Sequence, residues 1–147
     1  MASEKRIDVN CCHPRINEVV AGTALSPGTA INMAADGEFD HCSVTAAEYL
    51  KGALCIAMES ASGIGQTISD TVVAGDSARA LYPKPGDTVL VLCKSGEDLA
   101  VGDKLIPEQT SGLFVEAAGS EARYLLEVVE AEGVLAANTF VKARVLS

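Results

Sequence analysis

Tryptophan is absent from this sequence, and three tyrosines with three phenylalanines hold aromatics to 4% of 147 residues. Such a chain has few flat side chains on which bases or sugars could stack. Its core must be assembled from Val, Leu, Ile and Ala. No apolar run approaches the roughly 20 residues of a membrane-spanning helix. The first residues, Met-Ala-Ser-Glu-Lys-Arg, have no apolar segment behind them, so no signal peptide is expected. The five cysteines, Cys11, Cys12, Cys42, Cys55 and Cys93, form an odd set with neither a Cys-x-x-Cys pair nor the spacing of a secreted disulfide framework. A chain made in a reducing cytosol, and used there or carried out inside an assembly, fits that pattern.

Cations are also scarce. Eleven Lys and Arg face twenty Asp and Glu, for a formal net charge of −9. The imbalance is local: nine acids between Ser95 and Glu132 meet only Lys104 and Arg123. An acidic body repels nucleic acid and anionic membranes, so neither is expected as a partner. It favours a basic protein surface, and the same charge also serves solubility. The early cations Lys5, Arg6 and Arg15 stand apart from this body and are the candidate partner contacts.

Apolar residues at 48% support a folded core, and the length fits one domain. Three Gly-Asp pairs, Gly75-Asp76, Gly86-Asp87 and Gly102-Asp103, each precede an apolar or alternating run. Glycine supplies turn conformations, and Asp bonds nearby backbone, so each pair marks a tight turn into a strand. Residues 87–94 are apolar at consecutive positions, as in a strand covered on both faces. Further strands are expected at Ala53–Met58, Leu113–Glu116, within 123–131 and over Phe140–Leu146. Ser43 to Gly52 is the best helix candidate, with Ser43 or Thr45 as cap. Residues 59–69 read as a long loop. The sum is an all-β fold, a small sandwich or barrel with possible jelly-roll character and at most one or two short helices. Residues 1–36, broken by Pro14, Pro27 and turn signals, read as an extended N-terminal arm, and residues 37–147 as the β-rich domain.

Chemistry-bearing clusters are few. Cys11-Cys12-His13 and His41-Cys42 are the one constellation with zinc-ligand chemistry. Adjacent cysteines point in different directions, so no metal is expected, and a zinc-binding protein is retained only as an alternative. A Cys42–His13 nucleophilic pair has no group to orient it. Gly63-Ile64-Gly65 lacks the remainder of a dinucleotide fingerprint. Glu97-Asp98 lies in an exposed turn context. Val101-Gly102-Asp103-Lys104-Leu105 has the look of a lipoyl carrier hairpin, which makes a carrier with Lys104 as its attachment site a second alternative. No catalytic residue and no cofactor are expected.

The order of motifs over residues 53–147 carries a resemblance. A loop reading Ala61-Ser62-Gly63-Ile64-Gly65-Gln66-Thr67-Ile68 is followed by Ala74-Gly75-Asp76 and by Tyr82-Pro83-Lys84-Pro85-Gly86-Asp87-Thr88-Val89. Ala100-Val101-Gly102-Asp103-Lys104-Leu105, then Arg123-Tyr124-Leu125-Leu126-Glu127-Val128 and a closing strand complete it. This resembles the capsid decoration, or cement, proteins of tailed bacteriophages. The resemblance implies a structural virion protein on the outer capsid surface, made in the host cytoplasm. It implies a homo-oligomer, dimer or trimer, that clamps subunits of the major capsid protein and has no substrate or cofactor.

Overall fold

The computed structural model describes residues 7–11, 15–34, 36–42, 45–59, 67–119 and 124–146. In chain order the elements are β1 (Arg15–Val20), β2 (Ile31–Met33), β3 (Phe39–His41), α1 (Ala46–Tyr49), β4 (Ile56–Ala57), β5 (Ser77–Tyr82) and β6 (Thr88–Cys93). They continue with β7 (Asp98–Leu99), β8 (Lys104–Pro107), β9 (Phe114–Glu116), β10 (Leu126–Val128), β11 (Gly133–Val134) and β12 (Thr139–Val145). Five strands close a barrel in the order β10-β12-β6-β9-β8, with β8 pairing back to β10. A three-stranded sheet β1-β5-β4 stands beside it, with two-stranded ribbons β2-β3 and β7-β11. The all-β expectation holds, and the architecture is a closed barrel rather than a jelly roll.

The Gly-Asp turns are where the sequence places them. Asp87 donates its N–H to the Lys84 carbonyl at 3.0 Å, with Pro85 in second place and Gly86 in third at φ 93°. That is the residue choice a type II turn demands. Ala100 to Asp103 repeats the closure at 3.1 Å, and Val73 to Asp76 at 3.0 Å. β6, β8 and β5 start on the next residue in each case. Two of the aspartates, Asp87 and Asp103, bond backwards rather than forwards. Oδ2 of Asp87 accepts the Lys84 N–H at 2.8 Å, and Oδ2 of Asp103 accepts the Ala100 N–H at 2.8 Å. Each carboxylate thus ties the entry of its own turn.

β6 is covered unequally. Val89, Val91 and Cys93 are fully buried, while Thr88, Leu90 and Leu92 are half-buried, so only one face is core. Along one edge β6 pairs with β12 over its whole length. Along the other, its alternate N–H groups find partners in separate segments. Thr88 donates to Asn10 at 3.0 Å, Leu90 to Ile7 at 2.9 Å, Leu92 to Gly28 at 2.9 Å, and Lys94, just past the strand, to Phe114 at 3.0 Å. Buried backbone donors require such partners.

Three of those partners belong to residues 1–36, which corrects the expected arm. Ile7 and Ala30 share one core with Val91, Leu105 and Phe114. Ala21, Leu25 and Ile31 share a second, smaller core with Phe39, Ala57, Val72, Ala78 and Ala80. Pro27-Gly28 is a turn inside the body: Thr29 N–H reaches the Ser26 carbonyl at 3.3 Å, and Gly28 passes so close to Leu92 and Phe140 that a Cβ would not fit. The prolines and turns interrupt strands without freeing the segment. Glu59 helps anchor it, accepting the Ile7 N–H at 3.5 Å while Arg79 holds the Glu59 carbonyl at 2.9 and 3.1 Å.

The helix contracts to a single turn. Thr45 Oγ1 accepts the Glu48 N–H at 3.3 Å as its cap. So short a helix is unstable alone. Tyr49 secures it, its buried hydroxyl donating to the Cys55 carbonyl at 2.8 Å and accepting the Cys55 N–H at 3.0 Å. Among the described residues no helix is long and apolar enough to cross a membrane.

Candidate interaction surface

The residues singled out from sequence are dispersed. Lys5 and Arg6 lie outside the described residues, as do Cys12 and His13. Arg15 opens β1, exposed, with its guanidinium 4.8 Å from the centroid of the Tyr82 ring. Cys11 lies beside the first residue of β6, its thiol 3.7 Å from the Thr88 carbonyl. His41 ends β3 and donates its N–H to Thr23 Oγ1 at 3.4 Å. Burial lowers its imidazole pKa, and Asp40 works against that shift. Cys42 is fully buried, its carbonyl accepting the Thr110 N–H at 2.7 Å. Among the described residues no three His, Cys, Asp or Glu side chains gather as metal ligands do.

Three of the thiols are chemically quiet. Burial pushes Cys11 and Cys93 up to about 12 and Cys55 up to about 11. A thiol is a nucleophile or a metal ligand as its thiolate, and such values hold it protonated at neutral pH. Lys104 is equally unsuited to a carrier's role. It enters β8 rather than crowning a turn, opposite Glu127 of β10, and its Nζ lies 3.3 Å from Glu127 Oε2 and 3.1 Å from the Gly102 carbonyl.

Two surfaces stand out among the described residues. The first is an acidic end of the barrel. Asp103 chiefly, then Glu97 and Asp98, raise the pKa of Glu116 through like-charge repulsion, with burial adding to the shift. Glu97 and Glu132 likewise reach the Cys93 thiol. The barrel's cations are spent elsewhere: Lys94 on Glu108, Lys142 on Glu130, and Lys104 with Arg144 on Glu127. Among the described residues Glu97, Asp98, Asp103, Glu116 and Glu132 therefore form no ion pair. Val101 and Val134, 63% and 71% exposed, stand on the turn and ribbon beside them.

The second surface is the edge of β1. Among the described residues this strand pairs along its length with β5 alone, in register Arg15↔Tyr82 through Val20↔Ser77, and meets β3 just past its end in the parallel bridge of Ala21 to Phe39. Just beyond it, Ala21 donates to the Asp76 carbonyl and accepts the Gly75 N–H, both on the β5 side. Backbone groups alternate sides along a strand. Asn17 and Val19 therefore face β5 as Ala21 does, and Ile16 and Glu18 present their N–H and C=O groups, and Val20 its N–H, to the open side, the Val20 C=O being engaged by Phe39 through the parallel bridge at Ala21. The next residue with that orientation, Gly22, confirms the alternation, because its N–H is taken by the Phe39 carbonyl at 2.8 Å. Sequence reading found the strand but could not see that it ends a sheet, since edge status depends on the order β1-β5-β4.

No family model matches the sequence, and no curated protein matches it. Among solved structures the chain is similar to the N base of head fiber gp8.5 of bacteriophage phi29. The match has a TM-score of 0.55 and 14% sequence identity, and covers 90% of this chain and 93% of that one. The shared property is the fold, through almost the full length of both chains.

Proposed function

We propose that this chain is a structural protein of a tailed-phage virion that docks on the outer surface of the head. The observation that carries this reading is the near full-length fold match to a head fiber base. The motif order over residues 53–147, which resembles that of capsid decoration proteins, points to the same place by a separate route. Both lead to a protein whose work is binding other proteins rather than transforming a substrate.

The surfaces suit that work. An acidic, partly apolar barrel end and an open strand edge are features that protein partners cover. The barrel chemistry offers no competing activity: the thiols of Cys11, Cys55 and Cys93 stay protonated, and Lys104 is engaged in the sheet. In this reading the partners are the major capsid protein and further copies of the chain, as a dimer or trimer. Arg15, with Lys5 and Arg6, supplies cationic contacts to the shell, while the acidic end faces a neighbouring subunit. Closed symmetric assembly is the usual way small domains present several such contacts at once.

The test is to add the purified full-length chain to phage heads that lack it. Co-sedimentation at a fixed copy number per head, with a rise in the temperature at which heads disrupt, is the expected result. Mass action sets the scale, since a ligand at roughly 100 times its dissociation constant stabilises its bound state by about 2.7 kcal/mol. Heads that neither bind the chain nor gain heat resistance would refute the reading.

A further inference from the structure

We infer that the open edge of β1 is a strand-addition site, and that its occupant is an extended segment of a partner protein carrying a Lys or Arg between two apolar residues at alternate positions. The inference stands on the geometry of the edge and can fail or hold independently of the virion reading.

Three observations support it. The first is the edge itself. Ile16, Glu18 and Val20 direct their N–H groups away from β5, as Ile16 and Glu18 do their C=O groups, and among the described residues none of these five groups pairs with another strand, while the Val20 C=O is taken up in the parallel bridge of Ala21 to Phe39. An unpaired run of this kind is a template for an added strand. The run has a defined end, because Phe39 of β3 takes over the same side at Gly22. The second is side-chain chemistry. The same three residues share one face of the strand, reading apolar, acidic, apolar, with Ile16 37% and Val20 43% exposed. The third is charge. Glu18 lies directly opposite Arg79 of β5, yet Arg79 is consumed by Glu59, at 3.6 Å from its carboxylate and closer to its carbonyl. Glu18 is left with a hydroxyl donor, Ser77 Oγ at 2.7 Å, and no ion pair among the described residues. The carboxylates of Glu38 and Asp40 crowd Gly22 at the end of the edge, deepening the negative potential there. A cation on the incoming strand opposite Glu18 completes a cross-strand pair that the sheet leaves unfilled.

The same residues argue against a second copy of this chain as the occupant. Two-fold antiparallel pairing over the full run sets Glu18 against Glu18, and a shift of two residues sets Glu18 against Ile16 or Val20. Like charges directly opposite one another destabilise a sheet, and a charge in the middle of an edge is a common guard against self-pairing.

The experiment uses the isotope-labelled full-length chain and a synthetic probe, acetyl-Thr-Val-Thr-Lys-Thr-Val-Thr-amide, with a control in which Glu replaces its Lys. Amide hydrogen exchange is read by NMR. Exchange at Ile16, Glu18 and Val20 should slow about tenfold when roughly nine-tenths of the sites are filled, with little change at Asn17 and Val19. The Lys probe should bind roughly fivefold more tightly than the Glu probe, and added salt should narrow the gap. In E18K, an exposed change that leaves the core intact, the preference should reverse. No protection at millimolar probe would overturn the proposal, as would equal binding of the two probes. Protection of the same amides that appears without probe and rises with protein concentration would also overturn it, by showing that a second copy takes the edge.

Discussion

Leu90 donates its backbone N–H to the carbonyl of Ile7 at 2.9 Å. This single bond joins the beginning of the chain to the middle of the barrel strand β6. The side chain of Ile7 completes the join, since it is wholly buried in the same core as Val91 and Leu105. The segment is thereby part of the barrel wall, filling an edge that β9 covers only at Cys93↔Phe114.

Truncating Ile7 should therefore cost as much as truncating a central core residue. Ile7→Ala is expected to lower stability by about 3 kcal/mol, the middle of the range for large-to-small core changes. Urea unfolding should show a lower midpoint with an unchanged slope. Deleting residues 2–11 should be worse, because it also orphans the N–H groups of Thr88 and Leu90. A cooperative, near wild-type transition in that deletion variant would mean the segment is dispensable.

The two faces of β6 should answer differently to the same charge. Val91→Asp places a carboxylate in a fully buried site and is expected to cost more than about 4 kcal/mol, enough to prevent folding of a marginal domain. Leu92→Asp changes a half-buried position one residue along, where the carboxylate can reach water, and should cost less than half as much. Equal losses, measured by thermal unfolding of both variants, would contradict the one-sided burial.

Local features of this fold were legible in the sequence and long-range ones were not. The turns at Gly75, Gly86 and Gly102 close within four residues, so the residues themselves determine them, and the starts of β5, β6 and β8 follow. The helix expected over 43–52 shrank to Ala46–Tyr49 because one capped turn is all that Thr45 and the Tyr49 hydroxyl support. Ile7, by contrast, looks like any residue of a turn-rich arm until β6 is placed beside it. Residues 88–93 look uniformly apolar, and the half-exposure of Leu90 and Leu92 depends on how loosely the segments of Ile7 and Gly28 cover them. Arg15 was visible as a cation, but its stacking on Tyr82 and the open edge it begins come from the sheet order.

Two glycines separate backbone strain from steric clash. Gly86 has φ 93° with nothing within 4 Å of where a Cβ would be. Gly86→Ala then meets only the left-handed backbone penalty, roughly 1–2 kcal/mol. Gly112 has φ 71°, and its Cβ would collide with the carbonyl of Ala30, a backbone atom fixed by the Ala30 N–H bond to the Gly112 carbonyl at 2.8 Å. Gly112→Ala should lose clearly more than Gly86→Ala in chemical denaturation. The reverse order would show that the contact between these loops yields easily.

The buried thiols should make the protein lose stability in alkali. Burial, with Glu97 and Glu132 adding to it, pushes Cys93 up to about 12 in the folded state, while an unfolded thiol titrates near 8.5. The folded pKa is the higher one, so this contribution is fully present below the unfolded value. It is lost as pH rises from there towards 12, because the unfolded chain releases a proton that the folded chain retains. The loss is at most about 1.4 kcal/mol per pH unit for each thiol. Cys11 and Cys55 are shifted in the same direction, so the wild-type slope should reflect more than one group. Unfolding free energy measured at intervals between pH 7.5 and 10.5, a window of roughly one pH unit below to two above the unfolded thiol value, should decline for the wild type. Cys93→Ala should start lower, because it leaves a small cavity, and decline less steeply. A variant with the full wild-type slope would assign the alkaline loss to other groups and remove Cys93 from the account.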